Sequence, residues 1–117
     1  MSISPEGHRI TLLRATDMTA IYRENREENY PICETFHAES VRWLLDTPGC
    51  AYFRIYYGMN PDKTVHAILV GADKDGNDIL PSHDYPNAPG GSGDGEILED
   101  AMRCPDSCPA PSPLNLT

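Results

Sequence analysis

The sequence predicts one α+β domain. Two N-terminal helices pack on a three- to four-stranded antiparallel β-meander, and a Pro-rich extended tail closes the chain. Three observations carry this expectation. Helix-type apolar spacing is confined to residues before Thr47, whereas Ala51 to Tyr57 alternates with period two. The 11 prolines and 9 glycines are concentrated in residues 81–113, so core-forming residues come from 10–80 and 96–102. With 117 residues the chain fits a single domain spanning 1–117. Such a domain buries roughly 65% of its unfolded surface, enough to fold without a bridge or metal.

Taken in order, Thr11 to Glu28 reads as the first helix. Leu13, Met18, Ile21 and Tyr22 supply its apolar side, Thr11 or Thr16 can cap it, and Asn29-Tyr-Pro31 ends it. A second helix covers Ala38 to Asp46, with Val41, Leu44 and Leu45 as its stripe and Thr47-Pro-Gly49 as its stop. Ala51 to Tyr57 is the first strand of the meander: Phe53, Ile55 and Tyr57 face one way, Tyr52, Arg54 and Tyr56 the other. Gly58 to Lys63 turns the chain into Thr64–Val70, apolar on both faces and therefore central in the sheet. Asp73 to Asn77 turns again into a short strand, Asp78–Leu80. Residues 81–95 read as a flexible Gly/Pro-rich loop, Glu96 to Met102 as an edge strand, and 103–117 as a Cys/Pro-rich tail.

Eighteen acidic against nine basic residues give a net charge of −9. Nucleic-acid affinity draws on Lys and Arg neutralising phosphates, so no nucleic-acid partner is expected. The N-terminus has no apolar signal core, and the longest apolar run, Ala67 to Val70, is far too short for a membrane span. The expectation is a cytoplasmic protein, with thiols reduced and no membrane partner.

The feature richest in chemistry is Arg103-Cys-Pro-Asp-Ser-Cys-Pro109, with two thiols in a segment whose prolines exclude a helix. One reading makes Cys104 and Cys108 zinc ligands, completed by Cys50 or His66. A local Cys104–Cys108 disulfide is stereochemically open and needs an oxidising compartment, while two reduced cysteines under the tail are the third state. The tail is expected to lie back over the body, with both sulfurs near Cys50. A calcium loop at Asp73 to Asp84 is rejected, because Asp78 stands where glycine is needed and Pro81 interrupts the pattern.

Cys50 and His66 are the candidate nucleophile and base of a cysteine-dependent enzyme, with Asn77 as the orienting group. The run His66-Ala-Ile-Leu-Val-Gly-Ala-Asp73 resembles the histidine-bearing strand of papain-like cysteine peptidases. Cys50 departs from that pattern, since it opens a strand and lacks a helix dipole to lower its pKa, and a strand histidine with satisfied polar partners is the competing reading of His66. Tyr52, Arg54 and Tyr56 form an aromatic sheet face suited to protein contact.

Three blocks together resemble a family of small uncharacterised bacterial proteins. They are Cys50-Ala-Tyr-Phe-Arg-Ile-Tyr-Tyr-Gly-Met59, Val65-His-Ala-Ile-Leu-Val-Gly71 with Asp78-Ile-Leu80, and Arg103 to Pro109 closing on Ser112-Pro-Leu-Asn115. The likeness extends back through Glu34-Thr-Phe36 and omits 81–95. It implies that the Cys-Pro tail belongs to the fold and transfers no activity. The leading functional expectation is therefore a soluble protein-interaction or self-assembly module, with a zinc-binding protein as the alternative.

Overall fold

The meander read from the alternating strands lies at the centre of the computed structural model, which describes residues 4–81 and 95–115. After a 3-10 turn at Pro5–His8 come α1 (Leu12–Asn25), β1 (Cys33–Thr35), α2 (Ala38–Leu45), β2 (Tyr52–Met59) and β3 (Val65–Ala72). The short strands β4 (Asp78–Ile79), β5 (Ile97–Leu98) and β6 (Met102–Cys104) follow. The α+β class and the antiparallel pairing hold, but the arrangement differs from the expectation in three ways.

First, the strands form two sheets. β2, β3 and β4 are neighbours in that order, with β5 also on β3, while β1 and β6 pair separately. β3 is central, as its double-sided apolar character requires, and its second half is buried. Its edge away from β2 is covered piecemeal by four segments. Gly71 and Ala72 pair with β4, and Leu69 and Val70 with β5. The Ala67 amide then donates to a Glu34 carboxylate oxygen at 2.7 Å, and the Val65 amide to the Asn29 carbonyl at 3.2 Å.

Second, the helices are not both N-terminal to the strands, because α2 follows β1 in sequence. The His37 ring accepts from the Glu39 amide at 3.0 Å and caps α2, and Leu44 is fully buried. Gly71 has no side chain where α2 crosses β3. A Cβ there would lie 2.9 Å from Cys50 Sγ and 3.3 Å from Leu44 Cδ2.

Third, α1 does not pack on the sheet as a helix with one buried face. None of its residues is buried, and Leu13 and Ile21 are 72% and 61% exposed. The reason is angular. At about 100° per residue, Leu13 and Tyr22 project from opposite sides, so the apolar residues form no single stripe. The helix is held instead by its ends and polar groups. Thr11 Oγ1 accepts from the Arg14 amide, Tyr22 Oη donates to the Pro31 carbonyl, and Arg23 donates to the Leu114 carbonyl.

The tail does return to the body, at a different place. β6 pairs with β1 in the register Cys33↔Cys104, Glu34↔Arg103 and Thr35↔Met102. Asp100, at φ 67°, supplies the left-handed residue at which the chain leaves the edge of β3 to reach β1. The loop read at 81–95 lies, except for its two ends, outside the described residues. Among those described, no helix is long and apolar enough to cross a membrane.

Candidate functional site

The structure separates the residues that the sequence grouped. Cys50 Sγ contacts the Tyr52 carbonyl at 3.4 Å and sits beside Gly71, at the end of β3. His66 lies near the start of that strand. Five strand residues at about 3.3 Å each put them roughly 17 Å apart, so they do not form a nucleophile and base. Asn77 is committed elsewhere, since its amides hold Asp73 in the hairpin turn. These contacts, with the Asn77 backbone N–H first, hold the Asp73 carboxyl below its usual range.

Cys104 and Cys108 are joined in a disulfide, and Cys33 and Cys50 are free. A bridged sulfur carries no thiolate charge to offer zinc, and the register sets Cys104 opposite Cys33 rather than beside Cys50. Among the described residues, no group of three His, Cys, Asp or Glu side chains is arranged to hold a metal ion. The zinc set Cys104, Cys108, Cys50 and His66 is thus not assembled.

The aromatic face is present but internally tied. Arg54 pairs with Asp78 Oδ1 at 2.5 Å, and Tyr56 Oη donates to Asp78 Oδ2 at 2.6 Å. Both reach over β3 to β4. The bond to Asp78 raises the Tyr56 phenol above its usual pKa, because ionisation would set two anions together. Tyr52 is half-buried on the same side.

A polar junction that the sequence reading missed joins the two sheets. Strand register places Glu34 and Arg103 on one face, and Glu34 Oε1 accepts from Arg103 Nε at 3.0 Å and Nη2 at 2.6 Å. Its other oxygen holds the Ala67 amide, and the carboxylate side chain is only 8% exposed. His66 completes the junction. Its Nδ1 faces Glu99 Oε1 at 2.6 Å and also touches Arg103 Nη2. Its Nε2 lies 3.2 Å from Thr64 Oγ1 and 2.8 Å from Asn60 Nδ2. The Thr64 hydroxyl donates to Asp62 Oδ1 at 2.7 Å and accepts from Asn60 Nδ2 at 3.3 Å. The Glu99 carboxyl is held below its usual range, chiefly by the Asp100 backbone N–H and then by His66.

Beside this junction runs a groove of about 650 Å³ walled by Tyr22, Tyr30, Ile55, Tyr57 and the Pro31–Glu34 segment. Both oxygens of Glu34 are already engaged, so the junction serves as a fastening between sheets. No local spacing signals it: Glu34 and Arg103 are far apart in sequence and meet only through β1–β6 pairing.

The other surface feature is the outer edge of β2. The Asn60 amide donates to the Thr64 carbonyl, which makes the even-numbered residues of β2 the hydrogen-bonded partners of β3. The backbone groups of Phe53, Ile55, Tyr57 and Met59 therefore point away from β3. No described strand pairs with that edge. All four side chains are exposed, Tyr57 at 78%. Beside the first half of β2, the Pro5–His8 turn leaves a groove of about 620 Å³. Comparison with known proteins finds no matching family model, no matching curated protein and no matching solved structure.

Proposed function

We propose that this chain is a self-assembly module that joins a second copy of itself edge to edge through β2. The supporting observation is that no described strand pairs with the outer side of that strand, where Phe53, Ile55, Tyr57 and Met59 are apolar and exposed and no Lys or Pro blunts the edge. A second copy is the occupant that the edge itself fits. A two-fold axis at Tyr56 would set Phe53 opposite Met59 and Ile55 opposite Tyr57 of the other copy. Every outward-pointing residue then meets another outward-pointing residue, giving about eight backbone bonds. The facing side chains are aromatic, aliphatic or thioether, which suits cross-strand packing, and no like charges oppose. This matters for a chain of net charge −9, whose acidic surfaces otherwise repel one another.

Sedimentation velocity tests this. The average mass should rise from one chain to two between about 1 and 100 µM, the range expected when a modest interface offsets the cost of association. Tyr57→Lys places a charge on the edge at an exposed position and should leave the protein monomeric throughout. A wild-type chain that stays monomeric, or a Tyr57→Lys chain that still dimerises, overturns the proposal.

A further inference from the structure

We propose that Cys33, Cys104 and Cys108 form a thiol–disulfide relay, in which the Cys104–Cys108 bridge passes to Cys33 and frees Cys108 to react with an external disulfide. This is independent of the β2 edge. Its basis is the juxtaposition of three sulfurs by strand pairing. Register places Cys33 directly across from Cys104, on the face opposite the Glu34–Arg103 pair. Opposed residues in an antiparallel ladder have Cβ atoms about 4.5–5.5 Å apart, and a disulfide requires about 3.5–4.5 Å. The shift needed is a small closing of two strands that are already paired.

Access divides the roles. Cys104 is 2% exposed, so a thiol arriving from solvent is shut out from its sulfur. Cys33 is already inside, half-buried on the wall of the aromatic groove. Cys108 is exposed. Cys50, beside Gly71 at the far end of β3, takes no part.

The exchange balances without an oxidant. The Cys33 thiolate attacks Cys104 Sγ, the Cys33–Cys104 bond forms, and the Cys104–Cys108 bond breaks. The electron pair leaves on Cys108 Sγ as a thiolate, so one disulfide exists before and after. The released thiolate then attacks one sulfur of an external disulfide. A mixed disulfide forms at Cys108, and the other external sulfur departs as a thiolate.

The test uses the full chain oxidised with oxidised glutathione, desalted, and incubated with iodoacetamide at mildly alkaline pH without reductant. Tryptic peptides are mapped by mass spectrometry. The Cys104–Cys108 bridge lies within one peptide after Arg103, whereas Cys33–Cys104 links two, so the pairings are distinguishable. In wild type the two-peptide link and alkylated Cys108 should appear together. In Cys33→Ser and Cys33→Ala, Cys108 alkylation should fall at least tenfold, and Cys50→Ser should leave it unchanged. Cys108→Ser should carry the Cys33–Cys104 link. Cys108 alkylation that is absent in wild type, or equal in wild type and both Cys33 variants, overturns the relay. So does failure of Cys108→Ser to form the cross-strand bridge.

Discussion

Glu34 is the residue whose removal should cost this fold most for a single polar side chain. Glu34→Ala deletes two bonds from the Arg103 guanidinium and one from the Ala67 amide. Breaking a buried ion pair from one side costs about 3–5 kcal/mol, most of it from the charge left behind. Here Arg103 keeps some relief: its side chain is 17% exposed, and Glu99 lies 4.0 Å away. The lower bound of about 3 kcal/mol is therefore the working figure, with the orphaned Ala67 amide included. For a domain of this size that corresponds to a melting temperature lower by about 10–15 °C. Glu34→Gln retains an oxygen for Ala67 and should lose about 2 kcal/mol. The assay is thermal unfolding followed by circular dichroism, extended to a double-mutant cycle with Arg103→Ala. The double variant should be less destabilised than the sum of the singles by about 2 kcal/mol, since each single strands a charge. A Glu34→Ala melt within 3 °C or so of wild type, or strict additivity in the cycle, refutes the assignment of this pair as the fastening between sheets.

Two further outcomes follow from the same geometry. Because the Glu99 carboxyl sits below its usual range in the folded chain, its stabilising contribution is complete above the unfolded carboxylate pKa, near ~4.3. It is lost as pH falls through the lower folded value. The melting temperature should thus drop more steeply below about pH 4.5 in wild type than in Glu99→Gln; parallel curves contradict it. Gly71→Ala pushes a methyl against Cys50 and Leu44 and should cost about 1–3 kcal/mol in chemical denaturation. The cost should shrink in a Cys50→Ala background, where the nearest obstacle is gone, and an unchanged cost would show that the sulfur is not the obstruction.

Local pattern exposed the meander and little of its surroundings. Strands β2 and β3 were readable because alternation in Tyr52–Tyr57 and continuous apolarity in Ala67–Val70 are properties of single segments. The α2 boundaries were readable for the same reason, from Leu44 and the Thr47-Pro-Gly49 stop. What escaped is set by pairing between distant segments. Three-residue β1 and β6 are too short to show any period, and their register alone creates both the Glu34–Arg103 pair and the Cys33–Cys104 opposition. Helix α1 shows the converse: its propensity and Thr11 cap form a helix without an ordered stripe, so the sequence located the element and misjudged its packing. His66 reads by residue type as a strand histidine in need of polar partners, but the sequence does not say which partners these are. The Glu99 it meets lies 33 residues away, beyond the reach of any local signal.

The two pairings open to Cys104 differ in what they do for the fold. In the chain-entropy description, stabilisation grows with the loop closed. The Cys104–Cys108 ring has a sequence separation of only 4 and contributes about 2 kcal/mol, whereas a Cys33–Cys104 link would close about seventy residues and contribute about 4.4 kcal/mol. The ring forms readily because its ends are adjacent; the cross-strand link must wait until β1 and β6 have paired. A chain that folds with the ring closed therefore holds the more stabilising bridge in reserve, separated from it by one internal exchange. Capture of Cys108 by an external disulfide would draw that exchange forward. It would also tie β1 to β6 covalently, next to the Glu34–Arg103 fastening, so modification at the exposed tail would stiffen the junction between the sheets.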